Sequence, residues 1–225
     1  RAAQQRAERR RTIRMAMIVA AGMALVVLAG FLLTRALDTS TDVSAAPAGA
    51  SEHGVTVGDP DAPHSVIVYE DFLCPFCGEL EAATREDFER LAEEGELLVE
   101  YRPFNLLERY GDYSPQSTNA FAVVLEESGP EVAKRFHDLL FDNQPSESGP
   151  FPDTQDLLDL AVEAGAEEDE VSEGILEVTM RDWVDEATAA AIEAGVQGTP
   201  TVILDGKVVQ GQPQDILDAV LEATA

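Results

Sequence analysis

The chain has 225 residues, with 43 acidic side chains against 15 basic ones and a formal net charge of −28. That balance argues against a nucleic-acid binder or a domain that docks on anionic lipid headgroups, because such a surface repels both. The acids are scattered, at Glu126, Glu127, Glu167 to Glu170, Asp185 and Glu186 among others, and read as a solubility or salt-adaptation trait rather than a binding device.

Residues 1–14 carry six arginines (Arg1, Arg6, Arg9, Arg10, Arg11, Arg14) against one acid, Glu8, and predict a basic cytoplasmic segment. Residues 15–33, MAMIVAAGMALVVLAGFLL, contain no charge. A helix over them, at about 1.5 Å per residue, is roughly 28 Å long and close to a bilayer's hydrocarbon thickness. It lacks the polar face of a core helix. Thr34-Arg35-Ala36-Leu37-Asp38 follows where a signal peptide would show a small-x-small cleavage site. The expectation is one N-terminal transmembrane helix, an uncleaved anchor in the cell membrane. The arginines stay cytoplasmic and everything after Leu33 is extracytoplasmic. Residues 34–54 are small, polar and Pro/Gly-containing, and read as a flexible linker. Residues 55–225 are long enough for one domain with a proper core.

Within that domain, SVIVYEDF (Ser65–Phe72) reads as a buried strand ending just before Cys74. From Pro75 the spacing turns helical, with Leu80, Thr84, Phe88 and Leu91 on one stripe, charged residues elsewhere, and Gly95 as the stop. LLVEYRPF (Leu97–Phe104) reads as a second strand, completing a βαβ unit with parallel strands. Residues 114–195 are helical almost throughout: Pro115–Glu127, Pro130–Asp142, Asp153–Ala164, Asp169–Glu177 and Thr179–Ala194, with breaks at Ser128-Gly129 and Gln144–Pro152. Trp183, Met180, Val184 and Ala187 share helical spacing and read as core of this block. TVILDGKVVQG (Thr201–Gly211) is a hairpin turning at Asp205-Gly206. A last helix opens at Pro213, with Ile216, Leu217, Val220 and Leu221 as its apolar face.

Both cysteines sit in Cys74-Pro75-Phe76-Cys77. A zinc centre needs about four ligands, whereas this chain offers one Cys pair and three histidines (His53, His64, His137) with no ligand spacing among them; no metal is expected. A structural bridge closing so short a loop constrains the unfolded chain little. The remaining reading is a reagent. A cysteine where a strand gives way to a helix meets free backbone N–H groups and the positive end of the helix dipole, which favour thiolate. Cys74 is then the nucleophile. Cys77, one turn further in, is the more buried resolving thiol, and Pro75 stiffens the intervening loop.

Together with GVQGTPTVILDGK (Gly195–Lys207), this motif resembles the thioredoxin superfamily, and the helical block between the two halves resembles its DsbA-like disulfide oxidoreductase branch. The resemblance covers Val55–Ala225. It implies an α/β thioredoxin fold with a helical insertion between the βαβ and ββα halves. It also implies that Thr199-Pro200 is the cis-proline loop beside the Cys pair. There the backbone of Thr199 pairs with an extended substrate segment, and Pro75, Phe76 and Pro200 share that surface. No cofactor is implied. The implied partners are cysteine-containing exported proteins and, for reoxidation, a quinone-linked membrane oxidase of the DsbB or VKOR kind.

Two positions depart from the branch. Its buried acid six residues before the nucleophile is Val68 here. Glu70 shares that strand face by alternation, and Asp71 is close, so these two are the candidates for proton transfer. Strongly oxidising relatives carry a histidine where this chain has Phe76, which supplies no charge to a thiolate and argues for a less extreme potential. The expected function is a membrane-tethered thiol-disulfide oxidoreductase. A reductase or isomerase of the same fold, or a non-catalytic tethered chaperone or adaptor, stands as the alternative.

Overall fold

The computed structural model describes residues 43–225. The basic segment 1–14, the expected anchor 15–33 and residues 34–42 lie outside the described residues. Among those described, no helix is long and apolar enough to cross a membrane.

Strands β1 (Val55–Val57), β2 (His64–Glu70), β3 (Leu97–Pro103), β4 (Thr201–Leu204) and β5 (Lys207–Val209) form one sheet in the order β1-β3-β2-β4-β5. Helix α1 (Pro75–Glu93) joins β2 to β3, which run parallel. After β3 come α2 (Tyr113–Ser128), α3 (Pro130–Asp142), α4 (Thr154–Ala164), α5 (Glu168–Leu176) and α6 (Arg181–Glu193), then the β4–β5 hairpin and α7 (Pro213–Ala223). This is the expected thioredoxin fold with its helical insertion.

Alternation in the central strand explains the layering. Val66 and Val68 are sealed in the main core with Phe72, Leu80, Phe88, Phe121, Phe136 and Val220. Ile67 and Tyr69 point to the other face, where Phe104, Ile203 and the Ala187–Ala191 stripe of α6 cover them. A strand buried on both faces reads as the continuous apolar run seen in its sequence.

Three local differences from the sequence reading have physical causes. Strand β1 pairs antiparallel with β3, Val55 opposite Tyr101; three residues are too few to show alternation. Strand β2 ends at Glu70, because Asp71 turns the chain and Leu73 N donates to its Oδ1 at 2.9 Å. The stretch from Val43 to Gly54, expected as part of the linker, is strapped onto the domain. Ser44 N donates to Ala194 O, Gly49 N donates to Glu100 Oε2 at 2.7 Å, and Arg102 Nη2 donates to the Ala46 and Pro47 carbonyls. Composition shows how freely a segment can bend; it does not show that a buried Glu100–Arg102 pair awaits its backbone.

Candidate active site

Cys74 is the N-cap of α1, in an extended conformation, and Pro75 occupies the first helical turn, where its missing N–H costs no hydrogen bond. The N–H groups of Cys77 and Gly78 both reach back to Cys74 O. Gln144, just past α3, clamps the approach from outside by donating to the carbonyls of Phe72 and Cys74, each at 2.9 Å. Gly78 leaves room for this clamp: a Cβ there would come within 2.5 Å of Gln144 Oε1.

Cys74 is 5% exposed and Cys77 1%, and both are free thiols. The Thr199-Pro200 bond is cis, and in the thiol form Cys74 Sγ donates to Thr199 O at 3.3 Å. As a thiolate the same sulfur gives up that bond, since a carbonyl cannot donate, and accepts from neighbouring donors instead. The Cys77 thiol is the largest influence and outweighs the opposing effect of burial. The Thr199 side chain and the backbone N–H groups of Cys77 and Phe76 add to it, and together they pull the Cys74 pKa down to about 6. The helix N-terminus therefore contributes, but the partner thiol contributes more than the sequence argument allowed. Burial pushes the Cys77 thiol well above its ordinary value, and the hydrogen bond to Cys74 and the charges of Cys74 and Glu70 push it further. At neutral pH the pair is one thiolate and one neutral thiol.

Phe76, 63% exposed, forms a wall of a groove of about 400 Å³ lined also by Leu80, Thr199, Pro200, Gly211 and Ile216. The structure thus brings Cys74, Cys77, Phe76, Thr199 and Pro200 together, with Pro75 at the helix start.

The two candidate acids are both fully buried rather than solvated, and they differ in use. Asp71 is a bolt. Its Oδ1 takes Leu73 N, and its Oδ2 takes the N–H groups of Leu106 and Leu107 at 2.8 and 2.9 Å and the Ser114 hydroxyl at 2.6 Å. Burial still outweighs these bonds and leaves its pKa raised. Glu70 has one oxygen on His137 Nε2 at 2.6 Å and the other without a partner, so it retains a free acceptor.

Glu81 is not singled out by the sequence, and His137 figures there only as a metal ligand that is set aside. Both are buried, and with Glu70 they bring one donor atom each to within 4.8 Å of one another. Two ligands on one zinc, each at about 2.0–2.1 Å and a tetrahedral angle, would sit roughly 3.3 Å apart. The 2.6 Å between His137 and Glu70 is a hydrogen bond. Burial, against the charges of His137, Lys134 and Arg85, pushes Glu81 up to about 7. The cluster is therefore one that holds protons.

The comparisons with known proteins agree with this geometry. The thioredoxin family profile, described as Thioredoxin, matches residues 50–223. Reduced DsbA from Mycobacterium tuberculosis is similar at 29% identity and TM-score 0.62, over 75% of this chain and 91% of that one. BdbD from Bacillus subtilis shares the fold at 21% identity and TM-score 0.69, over 80% of this chain and 96% of its own. MdbA from Corynebacterium diphtheriae, a thiol-disulfide oxidoreductase, shares it at 24% identity and TM-score 0.62, over 81% and 96%. Among curated proteins, the serine/threonine-protein kinase PknE of M. tuberculosis is 30% identical over 125 residues, 53% of this chain. The Na(+)/H(+) antiporter NhaA 3 of Salinispora tropica is 28% identical over 155 residues, 67% of this chain. The chain spans only 22% and 21% of the length of those two relatives. The chain belongs to the thioredoxin family, as a DsbA-like thiol-disulfide oxidoreductase with Cys74 and Cys77 as its Cys-x-x-Cys pair.

Proposed function

We propose that the chain is a membrane-tethered, extracytoplasmic enzyme that introduces disulfides into exported proteins. The observation that carries this reading is the geometry of the motif. Cys74 caps the helix with its sulfur 3.3 Å from Thr199 O in the cis Thr199-Pro200 loop, and Cys77 is sealed beneath it. That arrangement draws the outer thiol toward thiolate and keeps the inner one neutral. A thiolate with a pKa of about 6 is a good leaving group, and its stability makes the dithiol form stable and the disulfide oxidising.

In the oxidised enzyme a substrate thiolate attacks Cys74, forming a mixed disulfide, and Cys77 leaves as a thiolate that then takes a proton. The substrate's second thiolate attacks its own bridged sulfur and displaces Cys74. Two substrate thiols become one disulfide, and the motif gains two electrons and a proton on Cys77. The mixed disulfide lies along Thr199-Pro200, with Phe76 against the substrate's apolar side chains. Glu70, with its free carboxylate oxygen, exchanges the Cys77 proton, while Asp71 holds the loops together. The electrons pass to a quinone-linked membrane oxidase of the DsbB or VKOR kind. Tethering rests on the uncharged residues 15–33 behind the arginine cluster.

Cys77→Ser in the full chain tests the reading. It is expected to accumulate reductant-sensitive adducts with cysteine-containing exported proteins through Cys74, and Cys74→Ser is expected to accumulate none. Absence of adducts with Cys77→Ser contradicts the proposal and leaves a non-catalytic chaperone or adaptor. One observation favours the reverse direction, a reductase or isomerase: Phe76 brings no cation to the thiolate. Finding Cys74 and Cys77 mostly as free thiols in cells would establish that direction.

A further inference from the structure

The groove beside Cys74 has a wall that neither the sheet nor the helices supply. Val43, in the strap ahead of β1, lines it together with Phe76 of α1, Pro200, Val208 of β5 and Ile216 of α7. Val43 is half-buried and, like Val208, packs against the back-face core that contains Ile67, Ala194 and Val196. Ile216 belongs to the main core instead. The apolar lining is thus drawn from both layers of the fold, and one piece of it comes from a segment with no helix or strand.

The strap's path is fixed by hydrogen bonds to the domain. Ser44 N, next to Val43, donates to Ala194 O at 2.9 Å, just past the end of α6. Arg102 Nη2 donates to the carbonyls of Ala46 and Pro47 at 2.9 and 3.0 Å, and Gly49 N donates to Glu100 Oε2 at 2.7 Å. Glu100 and Arg102 are buried on β3 and bond to each other at 2.7 Å. A buried charge pair is costly unless its remaining donors and acceptors find partners, and the strap's backbone supplies them. Val43 is therefore set at the groove by the same bonds that satisfy the pair.

None of the described residues lining the groove is charged, on a chain with 43 acidic and 15 basic side chains. Its polar side chains are hydroxyls and amides, Thr201, Gln197, Gln210 and Gln212 among them. An acidic residue entering it would leave water with no cation to meet it, against the field of an acidic domain. An apolar residue gains by the same move. We propose that Val43 is a specificity-determining residue of this groove, the strap's share of a site for an extended substrate segment with an uncharged, apolar residue beside its cysteine. The inference rests on the oxidoreductase reading above and names the substrate class of the same site.

The test uses the full chain in its disulfide form and follows its reduction, in single turnovers, by two reduced peptides and by dithiothreitol. Each peptide carries two cysteines, and the two differ only in the residue beside them, leucine or glutamate. The native chain is expected to react faster with the leucine peptide. Val43→Lys should lower the leucine-to-glutamate rate ratio on the order of tenfold. Ser44→Pro removes the N–H that Ala194 O accepts and adds no charge, so it separates loss of the wall from a change of field. It should lower the ratio too, through a slower leucine peptide, and it decides alone if Val43→Lys fails to fold. A native ratio in either folded variant overturns the proposal. So does a rate toward dithiothreitol, which is too small to fill the groove, that falls as far as the rate toward the leucine peptide. Failure of the native chain to oxidise dithiothreitol overturns the oxidoreductase reading instead.

Discussion

Cys74 Sγ lies 3.3 Å from the carbonyl oxygen of Thr199, 125 positions further along the chain. The sheet makes this contact. Strand β4 runs antiparallel to β2 with Tyr69 opposite Thr201, so the residues just past the end of β2 must meet those just before the start of β4. The nucleophile and the loop that receives substrate are thus neighbours by register.

The thiolate of Cys74 depends first on Cys77. In alkylation of the reduced protein, the rate should show an inflection near pH 6, with Cys77 unreactive. In Cys77→Ala that inflection should move up toward the ordinary thiol range. An inflection unmoved by the substitution would show that the helix N-terminus alone stabilises the thiolate.

Phe76→His places a titratable ring at the exposed position between the cysteines. A cation there favours thiolate, so Cys74 should titrate lower and the disulfide become more oxidising, by about 30 mV for each tenfold gain in the equilibrium constant. Glutathione equilibration measures it; a fall in potential contradicts the assignment.

Glu81 links stability to pH. Burial lifts its folded-state pKa to about 7 from an ordinary 4.5, so folding favours its protonated form. That contribution is fully present below about pH 4.5 and is lost as pH rises through 7. Glu81→Gln should therefore raise the thermal midpoint at pH 8, by at least about 3 °C for a domain of this size, and leave it nearly unchanged near pH 4.5. A gain independent of pH would remove titration as the cause.

Asp71→Ala strands three backbone donors, the N–H groups of Leu73, Leu106 and Leu107, while the Ser114 hydroxyl keeps Asn105 Oδ1 as an acceptor. With each unsatisfied group costing about 1–3 kcal/mol, chemical denaturation should show a loss of about 3 kcal/mol or more. A loss below about 1 kcal/mol would mean that Asp71 is not the bolt between these loops.

The elements legible in the sequence are those whose signal is local. Helix α3 has the expected bounds, Pro130–Asp142, because Gly129 and Pro130 punctuate its start. Asp153 caps α4 through a capping box with Asp156, and the hairpin turns at Asp205-Gly206 as its dipeptide requires. The stripe Leu80, Thr84, Phe88, Leu91 is buried as its spacing predicts. Glu81 beside that stripe reads as solvent-facing and is not, because α3 crosses there and sets His137 against it. Glu70 and His137 are 67 positions apart, and no periodicity within either element reveals that they meet. The cysteine pair and Thr199-Pro200 were legible through a motif. The buried proton-holding cluster has no motif, and only packing assembles it.

The most direct measurement is the Cys74–Cys77 reduction potential of the full chain, equilibrated against reduced and oxidised glutathione and read by alkylation. An enzyme that introduces disulfides is predicted to lie above about −200 mV, on the oxidising side of the glutathione pool. A value at or below about −270 mV, in the range of thioredoxin itself, would contradict it and make the chain a reductant.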